Sequence, residues 1–252
     1  MSSGSTGRRA GRGPALVAAV GVGALAGAAM MHAAPALTSI SPLRRHLLPH
    51  LAGIGSPGHV ALTFDDGPDP VSTPAFLEVL DSLGWQATFF MLGDMVRRAP
   101  SLAAEVAAAG HEVAVHGETH RSMLWRTPWS IVDDLARGRD TVADTTGVEP
   151  RFFRPPFGML SGGALRAAAR CDLDTVLWTA WGRDWRSEAT PESVTDDVLR
   201  GHLDGGTVLL HDSDCTSSPG SWSSAIGALP ALAEAFAPLD LQVGTLADHF
   251  VA

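Results

Sequence analysis

From His59 onward the chain alternates short apolar runs with longer amphipathic stretches. Runs with strand character fall at Val60–Phe64, Ala87–Met91, Glu112–Val115, Arg151–Phe153, Asp174–Trp178, Thr207–Leu210 and Leu241–Val243, and helical periodicity fills the gaps between them. Three of the helices share one start signal. Thr73-Pro74, Thr127-Pro128 and Thr190-Pro191 each set a Thr as N-cap before a Pro at the first helical position. Gly84, Gly110 and Gly147 stand where helices should stop. Strand and helix alternating in this way predict parallel strands joined by crossover helices. The expected fold is α/β, a single distorted, incomplete (β/α) barrel of about seven parallel strands over residues 57–252.

In such a fold the C-terminal ends of the strands form the active face, and ionisable residues gather there. Asp65 and Asp66 close the first strand, His116 the third and Arg154 the fourth. Asp184 follows the fifth strand, and His211-Asp212 closes the sixth. The opposite ends carry no comparable cluster. The cysteines fall on opposite rims, Cys171 before the fifth strand and Cys215 after the sixth. A strand of about five residues separates them by about 17 Å, too far for a disulfide.

Charge narrows the set of partners. All 18 cations are Arg, and the absence of Asn excludes N-glycosylation. No acid precedes Asp65, whereas Arg8, Arg9, Arg12, Arg44 and Arg45 do; from Pro57 onward 13 Arg face 27 acids. An acidic body of this kind excludes nucleic acid as a partner and suits a neutral substrate or a cation. Arg8–Arg12 form a charged leader to the uncharged stretch Pro14–Met31, and Ala34-Pro35-Ala36 offers a small-x-small cleavage site. Residues 1–36 read either as a cleaved signal peptide or as a membrane anchor, residues 37–56 as a linker and residues 57–252 as the catalytic domain. Both readings of the N-terminus place the body outside the cytoplasm, secreted or held at the membrane.

In "HGETH" His116 and His120 are four residues apart, so a helix or tight turn puts both imidazoles on one side. Two His with one carboxylate make a zinc set with open positions. This gives the adjacent acids in "TFDDGP" a reason: one binds the cation that relieves their repulsion, and the other stays free as a base.

The motifs "TFDDGP", "HGETH", "RPPFG", "WGRDW" and "LLHD", in this order, resemble those of the polysaccharide deacetylase (NodB-homology) family, carbohydrate esterase family 4. The resemblance covers the chain from about Pro57 to its end. It implies a metal-dependent enzyme with one zinc or another divalent ion, acting on an N-acetylated glycan. It assigns the general base to Asp65, the metal ligands to Asp66, His116 and His120, and the general acid to His211. Arg154 would orient the base and Asp184 would pair with Arg154. The Phe157 N–H would face the oxyanion, and Trp185 and Leu210 would wall the acetyl pocket. Three positions depart from the family pattern: Gly117 replaces a hydroxyl residue, Phe157 a Tyr, and Trp181 an Asp. Outside the motifs, Trp222 is a candidate for stacking on sugar, Asp212 for orienting His211, and His111 for a structural role. Peptidoglycan and chitin-like N-acetylglucosamine polymers lead as substrates. The alternatives are an O-acetyl ester, a small non-sugar amide, and a non-catalytic wall-binding domain.

Overall fold

The computed structural model describes residue 27 and residues 29–250. The leader at Arg8–Arg12 and most of the apolar stretch after it lie outside the described residues. In chain order the elements are α1 (Ser41–Leu47), β1 (His59–Asp65), α2 (Thr73–Leu83), β2 (Thr88–Met91), α3 (Gly93–Arg98), α4 (Pro100–Ala108) and β3 (Glu112–Val115). They continue with α5 (Pro128–Thr146), β4 (Phe152–Phe153), α6 (Gly162–Arg170), β5 (Asp174–Thr175) and β6 (Ala180–Trp181). Then follow α7 (Pro191–Leu199), β7 (Gly206–His211), α8 (Trp222–Phe236), β8 (Gln242–Gly244) and α9 (Leu246–His249).

All strand pairings are parallel, and seven strands run in the order β5-β4-β3-β2-β1-β7-β6 around a curled, open barrel. The eighth, β8, shares one edge of β1 with β2. It pairs with His59–Ala61 while β2 pairs with Thr63–Asp65. Of the expected strand over Asp174–Trp178 only Asp174–Thr175 forms, as β5, and the next strand, β6, lies at the opposite end of this order. Between them the chain turns away from β4 and joins β7, so the barrel stays open there. Leu177 N–H donates to Leu51 O across the opening, and the Thr207 hydroxyl donates to Gly53 O. The segment expected as a linker is thus folded against the sheet at these points.

Residue parity along the strands separates two apolar layers. Val60, Leu62, Phe64, Val208 and Leu210 face outward and pack with Phe76, Leu80, Leu229 and Leu232 of α2 and α8. Each such buried side chain contributes about 1.5–3 kcal/mol. Ala61 faces inward, with Phe90, Ala114 and Val176. Thr127 and Thr190 cap α5 and α7 as expected, and Gly84 and Gly147 end their helices in the left-handed conformation. Thr73 does not cap: it lies inside the first turn of α2, and its hydroxyl donates to Asp212.

Candidate active site

The central strand β1 delivers the two acids. On a regular strand, neighbours point to opposite faces, but Asp66 adopts φ +81°, a left-handed conformation that Asp tolerates better than most residues. Both carboxylates therefore reach the same rim. Asp65 is 3 % exposed, and its Oδ1 accepts from Arg154 Nη1 at 2.7 Å. Arg154, fully buried at the end of β4, also donates to Thr63 Oγ1 and to the carbonyls of Val176 and Leu177. This network holds the Asp65 side chain in place at the rim.

Asp66, His116 and His120 present ligand atoms that all lie within 4.8 Å of one another. Asp66 Oδ1 is 3.4 Å from His116 Nε2 and 3.5 Å from His120 Nε2. It is buried without a hydrogen-bond partner, while Asp66 Oδ2 accepts from the Thr216 hydroxyl. A buried carboxylate oxygen is costly unless it is paired, so this orphan turned toward two imidazoles fits a cation. His116 Nδ1 bonds to Arg154 O at 2.8 Å, which leaves Nε2 facing the acids. Burial pushes His116 down to about 3, so the ring is neutral and its lone pair free. The donor set suits zinc.

The loop carrying the histidines is pinned from below. Asp134, buried in α5, accepts from Glu118 N–H and the Thr119 hydroxyl. Gly93 and Asp94 N–H donate to Gly117 O and Glu118 O. Gly117 has φ +105°, and a Cβ there would lie 3.2 Å from Asp134 Oδ1. The missing hydroxyl of the family pattern is thus replaced by a backbone turn that only Gly takes without strain.

On the far side of the rim His211 ends β7, register partner of Asp65. Its Nδ1 bonds to Asp184 Oδ1 at 2.9 Å and its backbone N–H to Asp184 Oδ2 at 2.7 Å. Burial alone would lower His211. The charge and hydrogen bond of Asp184, with Asp66 and Asp65 beyond, outweigh it and hold the ring up at about 10. Here the structure corrects an expectation, because Asp184 pairs with His211 and not with Arg154. Arg154 instead fills the position by binding carbonyls of the open seam. Asp212 is corrected too. It faces α2, where it accepts from Thr73 and packs so closely on Gly67 that a Cβ there would be 2.1 Å from its carboxylate. Burial raises it to about 7.

Between these groups lies a cavity of about 460 Å³ lined by Phe157, Trp178, Trp181, Trp185 and Leu209, among others. Trp185 is where the motif placed it. Leu210 is not. It points outward into the helix-facing core, and Leu209, two residues before His211, takes the wall. A one-residue slip along a strand exchanges faces. Trp222 is also displaced: it starts α8 and packs against the outer core. Phe157 sits in a 3-10 turn at φ +60°. Gly158 and Met159 N–H bond within that turn, and the Phe157 N–H has no partner among the described residues. The Phe157 ring packs edge-on against His120 at 4.4 Å.

Sequence reasoning missed Leu209, Thr216 and Trp178. Residue parity from His211 could have supplied Leu209; Thr216 reaches Asp66 through a loop whose path the sequence does not encode locally. Trp181 stacks on Trp185 at 4.4 Å and widens the aromatic wall. Both cysteines are free.

A polysaccharide deacetylase family profile matches residues 52–176. A peptidoglycan-N-acetylglucosamine deacetylase of Bacillus cereus is 37% identical over 155 residues, 61% of this chain and 72% of that one. A chitooligosaccharide deacetylase of a Bradyrhizobium species is 36% identical over 154 residues, 61% and 70% of the respective chains. Among solved structures, a carbohydrate esterase family 4 pseudoenzyme from Bacillus anthracis superposes with a TM-score of 0.69. It has 26% identity over 76% of this chain and 65% of that one. Sequence and fold together place this chain in the polysaccharide deacetylase family, carbohydrate esterase family 4.

Proposed function

We propose that this chain is a metal-dependent hydrolase that removes N-acetyl groups from a cell-surface glycan, with peptidoglycan N-acetylglucosamine as first substrate. The observation that carries this is the arrangement of one rim. A buried carboxylate oxygen faces two imidazoles, a second carboxylate stands beside them, and a histidine held by an aspartate closes the same cavity. A family member that has lost activity keeps the fold, so the functional argument rests on these side chains and not on the barrel.

Zinc held by Asp66, His116 and His120 would polarise the acetyl carbonyl and acidify a bound water. Asp65, aimed by Arg154, takes the proton of the attacking water. The Phe157 N–H donates to the oxyanion, a contact worth about 3 kcal/mol. An amide leaves as an amine only if its nitrogen gains a proton, and His211 gives it, backed by Asp184. Leu209, Trp178 and Trp185 enclose the acetyl methyl in apolar surface. The products are acetate and a free amine on the sugar.

The names of the relatives favour peptidoglycan and, as a second reading, chitin-like oligomers. Work on a wall polymer sets the body outside the cytoplasm, with the N-terminal segment as leader or anchor. Among the described residues no helix is long and apolar enough to cross a membrane. The test is a panel of N-acetylated peptidoglycan fragments, chitooligosaccharides and O-acetylated xylan incubated with the full chain. Free amine and acetate should appear in equal amounts from the first two. Acetate from xylan alone would overturn the amide reading, and no acetate from any would overturn the glycan reading.

A further inference from the structure

The open seam of the barrel borders the cavity, and the polypeptide that crosses it carries part of the cavity wall. Residues 176–179 link β5 to β6 and include Trp178, whose ring lines the cavity. Their N–H groups are satisfied by Phe153 O, Leu51 O and Thr207 O at Val176, Leu177 and Thr179. The carbonyls of residues 176–178 are held by guanidinium groups. Arg154 takes Val176 O and Leu177 O through Nε and Nη2, and Arg44 takes the next one, Trp178 O, through Nη2 at 2.6 Å. The missing ladder is thus replaced by two arginines, one from the strand bearing the catalytic motif and one from α1.

Arg44 is placed for this role by several independent contacts. It is 2 % exposed, although it lies on a short helix near the N-terminal end of the described chain. Its Nη1 donates to Thr38 O at 2.7 Å, tying residues 38–44 to the seam. Its guanidinium is 5.6 Å from the Trp178 ring centroid, and that of Arg154 is 5.8 Å from the same ring. Burial and the nearby Arg154 charge lower Arg44 to about 10, a cost borne without an acid partner among the described residues. At its far edge the Trp178 ring meets Gly158 so tightly that a Cβ there would lie 2.4 Å from Trp178 Cη2. Gly158 follows Phe157, which lines the same cavity and whose N–H has no partner among the described residues. A contiguous path therefore runs from Arg44 through Trp178 and Gly158 to the oxyanion donor.

We infer that Arg44 is a positioning residue for catalysis: it holds Trp178 across the open seam, and so fixes the cavity wall and the turn that presents the Phe157 N–H. The N-terminal segment at residues 38–44 then belongs to the catalytic unit, although the family profile begins at residue 52. This inference rests on the deacetylase reading above. Arg44 touches none of the groups proposed to hold metal, so its loss should leave metal binding intact while misplacing the oxyanion donor. Misplacement by about 1 Å costs up to about 100-fold in rate.

The test uses the full chain with Arg44→Ala, Arg44→Lys and, as control, Arg45→Ala, assayed for acetate release well below each variant's melting temperature. Arg44→Ala should lose about tenfold or more in kcat, with zinc stoichiometry unchanged, and millimolar guanidinium should restore part of the rate. Lys keeps the charge but not the fork that spans two carbonyls, so Arg44→Lys should also be slow; Arg45→Ala should match the wild type. Should Arg44→Ala fail to fold, Arg44→Lys in a Trp178→Phe background decides. If Arg44 acts through Trp178, the two losses are strongly non-additive. Wild-type kcat in Arg44→Lys, strict additivity with Trp178→Phe, or loss of zinc in either Arg44 variant would overturn the inference. Absence of acetate release from the wild type would instead remove the deacetylase reading beneath it.

Discussion

Replacing Asp184 by Asn separates two accounts of the general acid. In the wild type His211 bonds Asp184 through both its ring and its backbone N–H, at 2.9 and 2.7 Å, and Asp184 is 1 % exposed. Burial pulls the ring down, and the neighbouring carboxylates lift it to about 10. Asn keeps the shape and removes the charge. A cation among Asp66, His116 and His120 cancels much of what Asp66 adds, so the Asp184 share dominates in the working enzyme. One close opposite charge moves a pKa by about 1–3 units. In the proposed mechanism the proton on His211 is needed for nitrogen to leave, so activity should hold until pH approaches the His211 pKa and fall above it. In Asp184→Asn the alkaline limb of kcat should move acid by about 1–3 units. If the ring then titrates near pH 7, the rate at pH 8 drops about tenfold, one pH unit being a tenfold change in protonated fraction.

Stability should follow the same sign. A histidine whose folded pKa is raised contributes fully below its unfolded value of about 6.5 and loses that contribution as pH rises toward about 10. The wild type should therefore exceed Asp184→Asn by about 1–3 kcal/mol near pH 6, and the gap should narrow toward pH 10. The assay is a pH–rate profile from pH 5 to 10.5 with urea melts at the two ends. Had Asp184 served Arg154, its loss would disturb Asp65 and move the acid limb instead. An unmoved alkaline limb, or a shifted acid limb, would refute the assignment of Asp184 to His211.

Asp65→Asn should lower kcat by about 100-fold or more, since a positioned base supplies about 10²–10⁴ in rate. Zinc content, read by atomic absorption, should stay at the wild-type value. His116→Ala should lose both metal and turnover; zinc retained at full stoichiometry would remove His116 from the ligand set. Leu209→Ala should enlarge the cavity and speed propionyl relative to acetyl substrates. Leu210→Ala should leave that ratio alone and cost about 2–5 kcal/mol in denaturant unfolding. Trp222→Ala, which alters the outer core, should affect stability and not the KM for glycan oligomers.

Much of this site was legible because strand ends announce themselves. Asp65, His116, Arg154 and His211 each follow an apolar run directly, and parallel strands bring their C-terminal ends to one rim. The departures have particular causes. Motif position alone points to Leu210, while side-chain parity from His211 points to Leu209. Asp184 lies beyond β6 in a turn where Arg183 has φ +51°, and the direction of such a turn is set by tertiary contacts. Residues 37–56 read as a linker because they lack strand or helix periodicity strong enough to predict burial. Arg44, Leu51 and Gly53 of this segment bond across the opening in the barrel, and an opening has no signature in the segment that borders it. Asp66 reaches its place only through its positive φ, which the adjacent Gly67-Pro68 hints at without specifying.

In the proposed hydrolytic site, one cation at Asp66, His116 and His120 works together with the groups around it. Zinc titration of the metal-stripped full chain, following acetate release from N-acetylglucosamine oligomers, tests it most directly. Activity should be absent at the start, rise in proportion to zinc and break to a plateau at one equivalent per chain. Full activity in the stripped protein, or one zinc bound per chain without acetate release, would contradict it.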